Sequence, residues 1–155
     1  MVRVFGKDAI AGVAQLDNLV VYLEREVPLE HPHLDWLRDA LSSAIAAHPG
    51  ATAHLHIVEV AGRGGVHAGP REAMTKIARQ LDGKLTAAAF VVPEGGFMPA
   101  LIRSLITGIL LIAARQTKAQ TFAELDEALR WLNAQGGPLP SRTLVLEALE
   151  TLRGP

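Results

Sequence analysis

Short apolar runs along this chain are typical of β-strands. The segments 19–23 and 54–60 are rich in leucine and β-branched residues, and turn residues precede the first of them. The run 85–92 is apolar without alternation, which is typical of a strand that is covered on both faces. A shorter run at 119–122 predicts one further strand.

The first 18 residues carry a weaker pattern. Val2 and Val4, followed by the region 9–13, indicate one or two short strands. Gly6 and Gly12 are expected to interrupt them, because glycine is unfavourable inside a strand.

Other segments repeat apolar residues every three or four positions, which is the period of a helix that buries one face. Four such helices are predicted, at 32–47, 70–81, 125–135 and 141–153. Pro32 suits a first helical position, and Ser141 is a plausible N-cap for the last helix.

The segment 99–114 is different because it has almost no polar face. Arg103 is its one charged residue, and beyond Leu105 only Thr107 and Gly108 interrupt the apolar run. A helix of this kind is expected to be buried nearly all round, and it is too short to span a bilayer. We therefore predict that it is the central helix of a soluble domain.

Strands that alternate with helices predict an α/β fold with a mixed, mostly parallel sheet. The chain of 155 residues is long enough for one domain with a real core. We place this domain at 1–135. A linker and an amphipathic C-terminal helix follow at 136–155, and this helix is expected to pack either on the same domain or on a partner.

Composition excludes several classes of function. The net charge is −1, so no basic excess indicates binding to nucleic acid or to an anionic membrane. The chain has no cysteine, which excludes disulfides, thiolate metal sites and cysteine nucleophiles. The N-terminus lacks the apolar segment of a secretory signal, so a cytoplasmic location is expected.

A family resemblance rests on four places in the chain. They are Gly96-Phe97, the run RSLITG at 103–108, Phe122, and the run EALRWL at 127–132. These residues resemble a bacterial group of STAS-like domains that occur as small stand-alone proteins. STAS-like domains also form the anti-sigma-factor antagonists and the tails of sulfate transporters. The resemblance covers roughly residues 13–134, so the last helix lies outside the family pattern.

The resemblance implies strands and helices in alternation, with a long apolar helix followed by a short strand and a closing helix. It also implies a non-catalytic regulatory module that acts through contacts with a protein partner. Antagonists that switch by phosphorylation carry Ser or Thr at the start of the helix after the second confident strand. Here the segment 61–70 has no hydroxyl group, so such a switch is not expected.

The same group is similar to the lipid-transfer fold of the CRAL-TRIO type. This similarity leaves an alternative function open, a carrier or sensor of a small apolar ligand. Its pocket would lie beside the apolar helix.

Candidate chemistry is sparse. Gly62-Arg63-Gly64-Gly65 lies between a strand and a helix and suits either an anion-binding loop or a plain connection, but it lacks the spacing of nucleotide-binding motifs. His54 and His56 share one face of a strand, where they suit either a half-buried sheet or a shared metal ion. We predict no metal site, no cofactor and no catalytic residues, and hence no enzyme.

Two apolar surfaces suit a subunit or ligand contact. Ala100, Ser104 and Gly108 form a stripe of small residues on the apolar helix, which suits either close packing on the domain's own sheet or an interface. Leu144 and Leu149 belong to the apolar face of the C-terminal helix. Large apolar patches are rarely left exposed, so a homodimer that includes the C-terminal helix is predicted.

Overall fold

The structure is a computed structural model that describes residues 1–26, 31–59 and 68–155. These residues contain one mixed sheet in the order β1-β2-β3-β4-β5-β6. The strands are β1 (Val2–Lys7), β2 (Ala11–Leu16), β3 (Leu19–Glu24), β4 (Ala53–Val58), β5 (Ala87–Val91) and β6 (Lys118–Phe122). The first three strands pair antiparallel, and β3 to β6 pair parallel. The predicted α/β class with a mixed, mostly parallel sheet is confirmed.

Helices cover both faces of this sheet. They are α1 (His31–Ala47), α2 (Ala68–Leu81), α3 (Phe97–Ala113), α4 (Leu125–Gly136) and α5 (Arg142–Arg153). The first three connect successive parallel strands and lie on one face, whereas α4 and α5 lie on the other. All six segments of the sheet and all five helices fall close to the positions that the sequence pattern predicts.

The larger core lies under α4 and α5. Leu55 and Ile57 of β4 point into it, whereas His54 and His56 point to the opposite face, as the alternation predicted. The strand β5 is buried along its whole length and lies between β4 and β6. The prediction of a strand covered on both faces is therefore confirmed.

The C-terminal helix packs on its own domain. Val145, Ala148, Leu149 and Leu152 are buried against β1, β2 and β3, and Leu144 packs against the same core. The side chain of Ser141 accepts a hydrogen bond from the N–H of Leu144, which confirms the predicted N-cap. The apolar face of α5 completes the core of the protomer, so it is not the exposed surface on which the predicted dimer contact of α5 relied. The homodimer itself stays a prediction.

Gly6 and Gly12 do not interrupt the first two strands. Both lie within strands, where the missing side chain lets another element come close. A Cβ atom on Gly6 would overlap the ring of Trp36 in α1, and one on Gly12 would meet Leu152 of α5. The register of β1 also shifts between Val4 and Gly6. Glycine is required here by close packing rather than by a chain break.

The helix α3 is not the central, fully covered helix that its composition predicted. Its inner face carries the buried Ile106, Ile109 and Ala113. The opposite face is exposed, with Phe97 at 79% and Leu111 at 76% of full exposure. Because α3 follows the strand next to the sheet edge and packs mainly beside α2, no described element covers its outer side.

Candidate functional site

The outer face of α3 carries four of the six large apolar side chains that the described residues expose. Phe97, Leu101, Leu111 and Ile112 are the exposed large apolar side chains on it. Residues three and four positions apart on a helix share a face, so these side chains form one stripe along the 17 residues of the helix. We call this stripe, together with the small residues between its two ends, the α3 outer face.

Small residues occupy the middle of the α3 outer face. Ala100 and Ser104 are exposed, and Gly108 is half-buried. A Cβ atom built on Gly108 would meet no heavy atom within 4 Å. These residues therefore do not pack closely on the domain's own sheet. The hypothesis that the small-residue stripe serves such packing is wrong.

The one charged residue of α3 is engaged elsewhere. Arg103 donates hydrogen bonds from Nη2 to the carbonyl oxygens of Val92 and Pro93, at 3.1 and 2.6 Å. Both carbonyls belong to the chain just after β5, so Arg103 fixes the first half of α3 over the end of that strand. The α3 outer face consequently carries no side-chain charge of its own.

A cavity of about 80 Å³ lies behind the inner face of α3. The helices α1, α2 and α3 surround it, and β4, β5 and β6 form its floor. Alanine residues at Ala78, Ala88, Ala114 and Ala119 leave this space open, because larger side chains would fill it. Almost the whole lining is apolar, with His54, His56 and Thr117 as its polar residues.

The two histidines of the floor have different partners. Nδ1 of His54 lies 3.2 Å from the carbonyl oxygen of Val20 on the neighbouring strand. Nε2 of His56 lies 2.9 Å from a carboxylate oxygen of Glu24, which is itself largely buried. Nδ1 of His56 and the hydroxyl of Tyr22 are buried and have no hydrogen-bond partner among the described residues.

Burial controls the protonation of His54. Desolvation lowers the pKa of His54 to about 3, and the neighbouring His56 lowers this pKa further while the Val20 carbonyl opposes the shift. His54 is thus a neutral imidazole at physiological pH. Burial likewise raises the pKa of Tyr22 well above its ordinary value, and the Glu24 carboxylate contributes in the same direction.

The parallel register explains why the sequence did not reveal this cluster. Tyr22 pairs with His56 and Val20 with His54, so side chains 34 positions apart become neighbours across two strands. The alternation in 54–60 placed the histidines on one face, but the pairing partner of β4 could not be read from it. The signal available was the presence of Tyr22 in the preceding predicted strand, 19–23, and of Glu24 directly after it.

The described residues do not form a metal centre. No group of three histidine, aspartate or glutamate side chains in 1–26, 31–59 and 68–155 is arranged to hold a metal ion. The side chain of His33 contacts Asp8, with 2.7 Å between Nε2 and Oδ2. His67 is outside the described residues.

The remaining predicted site residues are placed as follows. Gly62, Arg63, Gly64 and Gly65 lie outside the described residues, so the anion-loop hypothesis stays a prediction. Leu149 is buried in the core, and Leu144 packs against it, so neither lies on an exposed interface. Ala100, Ser104 and Gly108 share one face of α3, as the spacing predicted, but this face is not covered by the sheet.

Comparison with known proteins adds no family assignment. No protein-family model matches the chain, and no curated protein is significantly similar to it. Within the described part of the chain, none of the helices combines the length and the apolar content needed to cross a bilayer.

Proposed function

We propose that this protein is a non-catalytic, cytoplasmic interaction module of STAS-like type that works as a homodimer through the α3 outer face. The observation that carries this proposal is the exposure of Phe97, Leu101, Leu111 and Ile112 on a single helix face. Contiguous apolar surfaces of this kind mark interaction sites in soluble proteins. A regulatory protein partner would bind the dimer, or compete for the same face.

A second copy of the chain suits the α3 outer face better than an unrelated surface. Large side chains lie at both ends of the helix, and small ones lie in the middle. Two antiparallel copies would cross near Ser104, where backbones can approach closely, and Phe97 of one copy would cover Leu111 of the other. No like charges would meet, because Arg103 bonds to the end of β5.

The STAS-like assignment is supported by the order of elements. From β3 to α4 the chain alternates strand and helix in the order that the resemblance implies, with the long apolar helix before a short strand. The segment 61–70 has no Ser or Thr. The first hydroxyl group of α2, on Thr75, donates a hydrogen bond to the carbonyl of Arg71. The module therefore works without a phosphorylation switch at this place.

Light scattering on the full chain tests the dimer. We expect the mass of two protomers for the wild type and of one protomer for Leu111→Glu, because a charge buried in an apolar interface is unfavourable. Val4→Glu is the matched control, since Val4 is also an exposed apolar residue, at 39%, but lies on the edge strand β1. A wild-type monomer contradicts the proposal, and so does a dimer that only Val4→Glu dissociates.

A second candidate function is supported by the cavity beneath α3. Its apolar lining and its position beside the long helix suit a carrier or sensor of a small apolar ligand. Native mass spectrometry of protein purified from cells tests this candidate. A bound mass that organic solvent removes supports it, and a bare chain in every preparation contradicts it.

A further inference from the structure

The hydrogen bond of His54 determines which of its ring nitrogens carries the proton. A carbonyl oxygen only accepts hydrogen bonds, so Nδ1 must donate to Val20, at 3.2 Å. A neutral imidazole has a single N–H group, and its low pKa keeps His54 neutral. Nε2 is therefore an acceptor with an unshared lone pair.

That acceptor is left without a partner in an apolar space. His54 is only 6% exposed and lines the cavity, and none of the described residues donates a hydrogen bond to Nε2. The other polar side chains of the lining form their hydrogen bonds with other groups and not with Nε2 of His54. Nε2 of His56 donates to Glu24, and the Thr117 hydroxyl accepts from the N–H of Gly83.

The lining also limits the charge and size of an occupant. Among the described residues that surround the cavity none carries a fixed charge, so a carboxylate or phosphate would be buried without a counter-ion. The volume of about 80 Å³ limits an occupant to a small molecule with a body no larger than about one ring. An occupant that donates one hydrogen bond would satisfy the His54 acceptor without introducing a charge.

We infer that the cavity beneath α3 binds a small neutral molecule that has an apolar body and one hydroxyl group, which donates a hydrogen bond to Nε2 of His54. The inference deepens the second candidate function, on which it rests, because it names the ligand class and the recognising atom. It is independent of the homodimer.

Titration of the full chain with three matched probes tests the inference. Phenol provides the hydroxyl, benzene has the same body without a donor, and benzoate carries a charge. We expect phenol to bind about tenfold more tightly than benzene, as one additional buried hydrogen bond allows, and benzoate not to bind. In ¹⁵N NMR spectra the resonance of His54 Nε2 should shift with phenol and remain unchanged with benzene.

Two variants separate the contributions of the His54 acceptor and of the cavity volume to probe binding. His54→Phe removes the acceptor but keeps a ring, so phenol should bind only as tightly as benzene while benzene binding is retained. Ala88→Leu fills the cavity from β5, so it should abolish the binding of both probes while the chain remains folded.

The outcomes distinguish the hydroxyl inference from the carrier function on which it rests. Equal binding of phenol and benzene, or a phenol complex in which the Nε2 resonance does not move, overturns the hydroxyl inference and leaves the apolar carrier intact. Failure of every probe to bind overturns both. The Nε2 measurement is made on the wild type, so it does not depend on the folding of a variant.

Discussion

At the scale of single residues, burial and close packing determine the protonation state and the identity of particular side chains. His54 is neutral because it lies in an apolar environment beside a second histidine. Glycine at position 6 is needed because the ring of Trp36 occupies the place of its side chain. The sequence predicted which strand face the histidines share, but it could not predict the Val20 and Glu24 partners. Those contacts depend on strand pairing, which a local pattern does not encode.

The lowered pKa of His54 predicts that acid destabilises the fold. The unfolded chain takes up a proton near pH 6.5, whereas folded His54 does so only near pH 3. The contribution of neutral His54 is thus complete above pH 6.5 and is lost as the pH falls towards 3. Between pH 6 and 5 the free energy of unfolding should fall by roughly 1 kcal/mol because of this residue.

Urea denaturation of the wild type and of His54→Phe, measured at each pH, checks this prediction. The variant should lack the His54 contribution and show a flatter dependence on pH between 6 and 5. Identical slopes for the two proteins would mean that His54 is protonated in the folded state.

At the scale of elements, the apolar content of a helix did not predict how much of it is buried. The sequence placed the segment 99–114 correctly as a helix, and the structure gives it as Phe97–Ala113. Composition also indicated burial all round, but only one face is covered. How much of such a helix is buried depends on where the strand that precedes it lies in the sheet. The strand β5 is next to the edge, so the outer side of α3 has no neighbour among the described elements.

The two faces of α3 should respond differently to the same substitution. Ile106→Asp places an unpaired charge in the core and should lower the free energy of unfolding by about 3 kcal/mol or more. Leu111→Asp lies on the exposed face and should change it by only about 0.5 kcal/mol. Urea denaturation at a protein concentration where the protomers are dissociated measures both. Equal effects would show that the outer face is part of the core.

At the scale of the whole molecule, the last helix is an integral part of the domain and not a separate appendage. The sequence left open whether α5 packs on the same domain or on a partner, since Gly136, Gly137 and Pro138 precede it. In the structure, α5 covers the antiparallel half of the sheet, while α4 covers β5 and β6. An exposed ion pair between Arg142 and Asp126, at 2.6 Å, joins the starts of α5 and α4. A sequence pattern gives the apolar face of a terminal helix, but the surface that receives it is formed only in the folded sheet.

A chain that ends at Gly136 should therefore fail to fold stably. The loss of α5 would expose the side of the core that includes Leu16, Val21 and Leu23. We expect a lost or strongly lowered thermal transition in circular dichroism, together with aggregation. A truncated chain with an unchanged melting temperature would mean that α5 contributes little to the core.

Cross-linking at the middle of the α3 outer face tests the homodimer most directly. The chain has no cysteine, so Ser104→Cys introduces a single thiol at the expected crossing point of the two helices. Thr143→Cys is the control, since Thr143 is exposed on α5, away from that face. Under mild oxidation at micromolar concentration, the account predicts a rapid and nearly complete disulfide-linked dimer for Ser104→Cys and little for Thr143→Cys. Equal, slow cross-linking of the two variants would contradict an interface at the α3 outer face.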